Sequence, residues 1–300
     1  MGLLERRVVL VTGKGGVGKT VVSTLVALAA SRRGRRTLLA ETSGATRVPP
    51  LFGAAGGGYE PTRLSPTLWT QSIDPASAIE DYVVMQLRFR RLYKMVFRNR
   101  IMGPFVDAVP GLHDLIQLGK VFQLVRDDLY DTIVVDAPAT GHGLTMLAAP
   151  RAMMELTVAG PFHDNARDVA GLFEDPELAA LVLVSLPEEL PLNETEDLWR
   201  RLGPLRSLVR GVVLNEVHPS PVPDGELYGA WRRYLHDGAD EAGREALELV
   251  DAGLARLGAQ DAARRRLAAL EAPVVEVPFL FRRDLSRADL EPLSSLVDGL

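Results

Sequence analysis

The chain has 300 residues, of which 47% are hydrophobic and 24% charged, and this balance excludes an intrinsically disordered protein. Its 34 basic and 39 acidic side chains give a formal charge of −5, which argues against bulk electrostatic attraction to nucleic acid. The absence of cysteine excludes disulfides, thiolate nucleophiles and cysteine-based zinc sites, and it fits a cytoplasmic location. No signal segment is recognisable, and no uncharged apolar run reaches about 20 residues, so no integral membrane segment is expected.

The first element is an apolar strand that breaks into a glycine-rich turn. Residues 8–11 are Val-Val-Leu-Val, residues 13–20 read Gly-Lys-Gly-Gly-Val-Gly-Lys-Thr, and a helical segment rich in alanine and leucine follows. This spacing and this strand-to-helix context are those of the phosphate-binding P-loop, whose glycines allow backbone N–H groups to point at phosphate oxygens. Lys19 is expected to contact the β and γ phosphates of ATP, and the Thr20 hydroxyl is expected to bind Mg²⁺.

A second lysine, Lys14, directly follows the first glycine of this loop. The basic P-loop pattern does not require it. In this respect the loop resembles the deviant Walker A class of ATPases, and the resemblance implies that Lys14 reaches the nucleotide held by a partner subunit. Lys14 therefore indicates a dimer.

The next elements alternate between strands and irregular or helical segments. Residues 37–40 predict a second buried strand, and Glu41 follows it at the edge where ligands of open parallel sheets gather. Residues 44–66 are rich in glycine, proline and threonine and predict a mobile loop. A short strand is expected at residues 68–73. From residue 76 to about residue 125 the pattern is helical, which indicates a helical insertion between two strands.

Residues 130–136 form the clearest buried strand, which is expected to end at Asp136. A strand that delivers an aspartate beside a P-loop is the Walker B arrangement, in which the carboxylate orders a Mg²⁺-bound water. A carboxylate at the end of a strand says little about function on its own. The P-loop earlier in the chain is what supports the Walker B interpretation of Asp136. Thr20 and Asp136 are therefore the predicted metal-binding residues.

The second half of the chain continues the alternation. Further strands are expected at residues 179–185, 209–214 and 273–278. Helical patterns separate them, and the charged pattern at residues 219–272 most simply covers the sheet. The alternation predicts an α/β fold with a doubly wound, mostly parallel sheet. We expect a single P-loop ATPase domain over residues 1–300, with a helical subdomain formed by residues 76–127 and 151–178 inserted within it.

Taken together, the motifs resemble the arsenite-pump (ArsA-like) ATPase family, which also contains the guided-entry factors that carry tail-anchored membrane proteins. Six matches occur in the family's order: residues 13–20, residues 51–53 with 60–61 and 73–75, residues 110–114, residues 136–144, residues 194–196, and Asn215. The resemblance implies a P-loop NTPase of the SIMIBI type that uses ATP and Mg²⁺. It also implies a dimer that closes on two ATP molecules, recognition of adenine by Asn215, and, more weakly, a loop beside the base that begins at Pro278.

The predicted site residues follow from these motifs and this resemblance. The expected nucleotide-binding residues are Gly13, Lys14, Gly15, Gly16, Val17, Gly18, Lys19, Thr20, Val21, Asn215 and Pro278. The expected catalytic residues are Lys14, Lys19, Glu41 and Ser43. Four histidines lack metal-ligand spacing and are expected at the surface or at helix caps: His113, His163, His218 and His236.

Two departures from the family pattern bear on function. Where the family has a switch I aspartate that positions the attacking water, this chain has Ser43. A serine hydroxyl holds a water but is a poor proton acceptor at pH 7, so the sequence supports ATP binding more firmly than hydrolysis. Glu41, two residues earlier, offers partial compensation. The lack of cysteine excludes the family's thiolate route to arsenite and a zinc-bridged dimer.

Residues 82–102 place apolar side chains, several of them methionines, at helical spacing beside basic residues. The apolar stripe fits the insertion's own core, as most such stripes do. It also fits a groove for the apolar helices of membrane-protein clients, because methionine adapts its shape to varied partners. Contact of the basic residues with anionic lipid headgroups is a third use.

We therefore expect an ATP-binding and ATP-hydrolysing dimeric carrier or targeting factor. Its nucleotide cycle would reshape a helical subdomain that handles apolar protein segments. The alternative is a regulatory ATP-binding module with slow or no hydrolysis, which acts by association with a paralogous subunit. A partitioning or positioning ATPase fits less well, because those proteins lack this insertion. No nucleic acid partner is expected.

Overall fold

A computed structural model describes residues 2–44, 46–87, 111–221, 228–230, 232–233 and 240–300. Within these residues eight strands form one sheet: β1 (Val8–Gly13), β2 (Thr37–Glu41), β3 (Thr62–Ser65), β4 (Leu68–Ser72), β5 (Thr132–Ala139), β6 (Ala179–Ser185), β7 (Val209–Val217) and β8 (Val274–Pro278). The strand order is β3-β4-β2-β5-β1-β6-β7-β8. Neighbouring strands run parallel except for β3, which is antiparallel to β4. The predicted α/β fold with a mostly parallel sheet is confirmed.

Helices connect the strands and cover both faces of the sheet. They are α1 (Lys19–Arg32), α2 (Val48–Leu51), α3 (Pro75–Leu87), α4 (Leu112–Arg126), α5 (Thr140–Leu156), α6 (Pro161–Phe173), α7 (Glu189–Leu202), α8 (Glu241–Ala268) and α9 (Arg287–Leu290). Short 3₁₀ helices span Leu3–Glu5, Gly203–Leu208 and Pro292–Gly299. Among the described residues, no helix combines the length and the apolar character needed to cross a membrane.

Alternate side chains of each strand enter two separate cores, because successive residues of a strand point to opposite faces. Val9 and Val11 of β1 pack with α1, α9 and the C-terminal 3₁₀ helix. Val8 and Leu10 face the other core, which is formed with α3 to α8. Burial on both faces explains why the central strands are continuous apolar runs rather than alternating patterns.

Helices α3 to α6 contain the described parts of the predicted helical subdomain. They pack against one another, and their buried side chains, such as Leu118 of α4 and Met146 of α5, share one core with the sheet. The division of the chain into a single domain with an inserted subdomain stays a prediction. The stripe predicted over residues 82–102 lies outside the residues whose side chains the structure describes.

The structure corrects several predicted boundaries. Residues 44–66 are not one loop, because they contain α2, which has proline in its first turn, and the edge strand β3. Strand β5 continues beyond Asp136 to Ala139, since a bulge opposite residues 11–13 accommodates Pro138, which has no N–H to donate. Strand β7 likewise continues to Val217 across an irregularity in its pairing with β8. Helix α5 begins directly after β5, so the segment 151–178 assigned to the helical subdomain starts inside a helix rather than at its beginning.

Candidate nucleotide-binding site

The turn between β1 and α1 has a backbone that only glycine accommodates at several positions. Gly16 and Gly18 have φ angles of 88° and 84°, in the left-handed region that disfavours side chains. A Cβ atom on Gly18 would lie 2.2 Å from Nδ2 of Asn215, and one on Gly13 would lie 2.3 Å from the carbonyl oxygen of Val184. The predicted P-loop therefore forms a close-packed turn that delivers α1 at Lys19.

A cavity of about 830 Å³ lies above this turn, at the carboxyl ends of the central strands. Its wall is made by the P-loop, by the segment after β2, by the first turns of α4 and by the end of β5. Ser43, Arg47 and Gln117 are among its lining residues. The volume is in the range that binds small molecules and cofactors, about 300–1,000 Å³.

Lys19 brings a positive charge to the floor of the cavity. Its Nζ donates a hydrogen bond of 2.9 Å to the carbonyl oxygen of Lys14, so the loop itself holds the side chain. Burial lowers the pKa of Lys19, and Arg47 lowers it further, whereas the charge of Asp136 opposes the shift. An anionic ligand would relieve this unfavourable burial of the ammonium group.

Thr20 and Asp136, the two predicted metal-binding residues, are in direct contact. Thr20 Oγ1 donates a hydrogen bond of 2.7 Å to Asp136 Oδ2, and Ser23 Oγ donates one of 3.2 Å to Oδ1. Asp136 is only 3% exposed, and burial raises its pKa, although the two hydroxyls and Lys19 oppose the shift.

A hydroxyl beside a carboxylate is the oxygen donor set that suits Mg²⁺. The described residues contain no group of three or more His, Asp or Glu side chains that could hold a metal alone. Mg²⁺ at Thr20 and Asp136 would therefore need oxygen ligands from phosphate and water as well, which is typical of magnesium in nucleotide sites.

Glu41 lies beside Asp136 in the β2–β5 register but does not line the cavity. Its Oε1 accepts hydrogen bonds from the backbone N–H groups of Arg47 (2.6 Å) and Val48 (3.2 Å) at the start of α2. Burial raises the pKa of Glu41, and these two N–H groups oppose the shift. The structure thus places Glu41 under α2, and its predicted part in catalysis stays a prediction.

Ser43 is exposed and lines the cavity together with Thr20 and Asp136. The preceding residue anchors it, because Thr42 Oγ1 donates a hydrogen bond of 2.9 Å to the carbonyl oxygen of Asp136. The structure therefore places Ser43 in the same cavity as the two predicted metal-binding residues.

Lys14 is partly exposed at the rim of the loop. Its Nζ lies 3.3 Å from Oε1 of Glu194 in α7 of the same chain. A reach towards a partner's nucleotide would require Lys14 to leave this ion pair, and that role stays a prediction.

Asn215 and Pro278 do not line the 830 Å³ cavity. Asn215 is buried within β7, and its Nδ2 donates a hydrogen bond of 3.0 Å to the carbonyl oxygen of Val17, so it holds the P-loop. Pro278 is exposed at the end of β8. The next residue, Phe279, stacks on His218 with a ring-centroid distance of 4.4 Å. That Asn215 recognises adenine stays a prediction. That a loop beginning at Pro278 lies beside the base stays a prediction as well.

Sequence reasoning missed several side chains of the cavity, among them Arg47, His113 and Gln117. Arg47 lies in a segment that was expected to be a featureless loop, and no local signal marks it. His113 was expected at the surface or at a cap but is half-buried and lines the cavity. Gln117 interrupts an apolar helical stripe, and a polar residue in such a stripe is a signal that it finds a buried partner.

Comparisons with known proteins agree with this geometry. Residues 6–161 match the family described as anion-transporting ATPases, the ArsA ATPases. The chain is 28% identical over 296 residues to the ATPase BagA of Mycobacterium tuberculosis, covering 91% of this chain and 87% of the relative. It is 27% identical over 271 residues to the ATPase GET3 of Chaetomium globosum, covering 76% and 78%. A putative arsenical pump-driving ATPase of Prosthecochloris vibrioformis is 31% identical over 145 residues, which cover 48% of this chain and 36% of that protein.

Proposed function

The chain belongs to the family of anion-transporting ATPases, and from this premise we propose that it is a dimeric, ATP-driven carrier whose cycle reshapes helices that handle apolar protein segments. The observation that carries the nucleotide-binding part of the proposal is the contact between Thr20 and Asp136 in a cavity that Lys19 also lines. This combination of hydroxyl, carboxylate and ammonium groups supports the proposal, because a P-loop ATPase uses such groups to bind phosphates and Mg²⁺.

The P-loop residues would bind the phosphates of ATP. Residues at the start of α1 line the cavity, where backbone N–H groups of a helix N-terminus would bind phosphate, and Lys19 adds a charge that phosphate oxygens would compensate. Thr20 and Asp136 would hold Mg²⁺, and the ion, when bound, neutralises charge on the phosphate oxygens. Ser43 would hold water beside them without accepting its proton efficiently, so we expect slow hydrolysis.

The proposed dimer rests on Lys14. Gly15 and Gly16 are exposed beside it, so this rim of the loop is open to a second chain. A partner that offered phosphate to Lys14 would compete with Glu194, a single carboxylate that is itself partly exposed. Either a second copy or a paralogous subunit would fit this scheme.

The proposed carrier function has more indirect support. Relatives include proteins named as an arsenical pump-driving ATPase and as GET3. The methionine-containing residues 82–102 begin within α3, and α4 connects the helical region to the cavity through Gln117. We propose apolar segments of proteins as cargo rather than arsenite, because the chain has no thiol. The lack of cysteine also fits the proposed cytoplasmic location.

The neutral residue at the switch position favours a second candidate. A chain with Ser43 that binds ATP and turns it over slowly or not at all could regulate a more active paralogous subunit. A brisk rate of ATP turnover by this chain alone would reject that alternative.

The experiment combines three measurements on the full chain. Calorimetry should detect MgATP binding that is weakened by Lys19→Ala. Sedimentation should show a larger dimer fraction with MgATP than with MgADP. A fluorescent transmembrane-helix peptide should then be bound in a nucleotide-sensitive manner. A peptide that binds in no nucleotide state would reject the carrier function and leave the nucleotide site untouched.

A further inference from the structure

Gln117 is a buried amide that joins a helix to the ends of two strands. It lies in the second turn of α4 and is 4% exposed. Its Nε2 donates hydrogen bonds to the carbonyl oxygens of Thr42 (2.9 Å) and Ile73 (2.6 Å). These carbonyl groups directly follow β2 and β4, which are neighbours in the sheet. Because a primary amide has two N–H donors, this arrangement uses its full donor capacity.

The contact with Thr42 continues to the predicted metal site. Thr42 donates to the carbonyl oxygen of Asp136 both from Oγ1, at 2.9 Å, and from its backbone N–H, at 3.3 Å. The carboxylate of Asp136 in turn accepts the hydroxyl of Thr20. Hydrogen bonds, joined through the covalent structure of Thr42 and of Asp136, therefore run from α4 to the first turn of α1.

Gln117 also lines the nucleotide cavity beside Ser43, the residue that follows Thr42. Its neighbours on the buried face of α4 are apolar, among them Leu115 and Leu118. A polar side chain at such a position is costly to bury unless its hydrogen bonds are made. The two carbonyl acceptors satisfy this requirement, and they fix the side chain against residues 42 and 73 at the strand ends.

The same helix has a second polar connection to the neighbouring helical region. Lys120 Nζ donates to Asp81 Oδ2 of α3 at 2.7 Å. The hydroxyl of Tyr59, in the segment before β3, donates to the same oxygen at 2.8 Å. Helix α4 is thus held at one point by the strand ends at the cavity and, one turn further along, by α3.

We infer that Gln117 is a positioning residue that couples the placement of α4 to the placement of Ser43 at the nucleotide. A shift of α4 withdraws the amide from the carbonyl group of Thr42, and the segment that carries Ser43 then moves relative to Thr20 and Asp136. Conversely, a nucleotide that reorders residues 42–44 displaces α4. This inference rests on the proposed function, because it requires ATP in the cavity.

The test replaces Gln117 by methionine, which has a similar length and no N–H donor. Gln123→Met is the matched control, because Gln123 is on the same helix and does not line the nucleotide cavity. Rates of phosphate release are measured below the thermal transition of each variant. Backbone hydrogen exchange over residues 112–126 is compared with and without the non-hydrolysable analogue AMP-PNP and Mg²⁺.

In the wild type and in Gln123→Met, nucleotide should change the exchange rates of α4. Gln117→Met should lose this change and should lower kcat by about tenfold or more, the size of effect expected from a misplaced reacting group. Its KM for ATP should stay within about threefold of the wild type, because the P-loop is untouched. Preserved exchange changes with a wild-type kcat in Gln117→Met would overturn the inference.

Failure of the proposed function would look different. A wild type that binds no MgATP by calorimetry rejects the nucleotide site itself. A wild type that binds MgATP without any exchange response in α4 rejects the coupling alone. If Gln117→Met does not fold, Gln117→Glu replaces it: the ionised carboxylate offers no donor to the two carbonyl groups, whereas its protonated form offers one. The α4 response of Gln117→Glu should therefore recover as the pH is lowered, and a response that is independent of pH contradicts the inference.

Discussion

Thr20 and Asp136 are 116 residues apart in the chain, and yet the hydroxyl of one lies 2.7 Å from the carboxylate of the other. Parallel pairing of β1 with β5 brings them together, because it sets Val11 beside Asp136 and carries the P-loop over the end of β5. The fold itself thus sets the two predicted metal-binding side chains next to each other.

The first prediction concerns Asp136→Asn. Because burial raises the pKa of Asp136 above its ordinary value of 3.8, the folded protein holds this proton more tightly than the unfolded chain does. The contribution of this group to the free energy of unfolding is therefore largest below the unfolded pKa and decreases as the pH rises to the folded pKa. Asp136→Asn should remove this decrease. In the same variant the affinity for MgATP should fall by more than about tenfold, as expected when a metal interaction worth several kcal/mol is weakened.

Urea unfolding of ligand-free protein across this pH range, together with calorimetry of MgATP, measures both effects. Nucleotide affinity in the absence of Mg²⁺ is the control and should change much less. An Asp136→Asn protein that binds MgATP as well as the wild type would contradict the assignment of Asp136 to the metal.

The second prediction concerns Ser43→Asp. A carboxylate at this position in the cavity would accept a proton from water, and general base catalysis contributes about 10²–10⁴-fold in rate. We expect kcat for ATP to rise by at least about tenfold, since the surrounding site is not optimised for the new charge. Ser43→Asn is the control, because it has a similar size without the charge. Steady-state phosphate release measures the effect. If Ser43→Asp binds ATP but turns it over at the rate of the wild type, the lack of a base at residue 43 is not what limits turnover.

The third prediction separates two roles of Glu41. Its carboxylate accepts the N–H groups of Arg47 and Val48 at the start of α2. Glu41→Ala leaves both donors unpaired, that of Val48 in a buried position, and should lower the free energy of unfolding by about 1–3 kcal/mol. Glu41→Gln keeps an acceptor oxygen and should lose less than about 1 kcal/mol. If Glu41 acts on structure alone, Glu41→Gln retains the ATP turnover of the wild type. A kcat that collapses in Glu41→Gln while stability is kept would instead support the predicted catalytic role.

The fourth prediction concerns the ion pair of Lys14 with Glu194. The pair is partly exposed, so Glu194→Gln should change the free energy of unfolding by no more than about 1 kcal/mol. Released from this contact, Lys14 should reach a partner more readily, and dimer should form with MgATP at a lower protein concentration. Glu196→Gln is the matched control, because Glu196 pairs with Arg266 rather than with Lys14. Sedimentation velocity over a range of protein concentrations measures the effect, and an unchanged or weakened dimerisation in Glu194→Gln would contradict it.

The parts of the site that could be predicted from sequence are those fixed by local backbone requirements. The glycines of residues 13–20 are needed within a single turn, and the apolar run before Asp136 has the composition of a strand buried on both faces. The general order of strands and helices follows from the same local patterns. The anion-transporting ATPase family was therefore identifiable from the sequence.

The remaining features depend on how distant segments meet. The ends of β5 and β7 were missed because bulges let these strands continue past residues that usually stop them. The position of Glu41 depends on α2 folding back over β2, and the contact of Gln117 with Thr42 spans 75 residues. Periodicity within α4 indicates that Gln117 is buried, but it does not identify the carbonyl groups that the side chain meets.

The antiparallel strand β3 limits how the segment between β2 and β3, which contains Ser43, can move. The segment that contains Ser43 leaves the sheet at the end of β2 and returns to it at Thr62, where β3 pairs with β4, and β4 also pairs with β2. Glu41 is opposite Ser72 and Thr62 is opposite Thr70, so the two ends are held two strand spacings and two residues apart, about 12 Å. Rearrangement of this segment is thus confined to the residues between these two strands. A displacement of residues 42–44 passes most directly into α4, because Gln117 contacts Thr42.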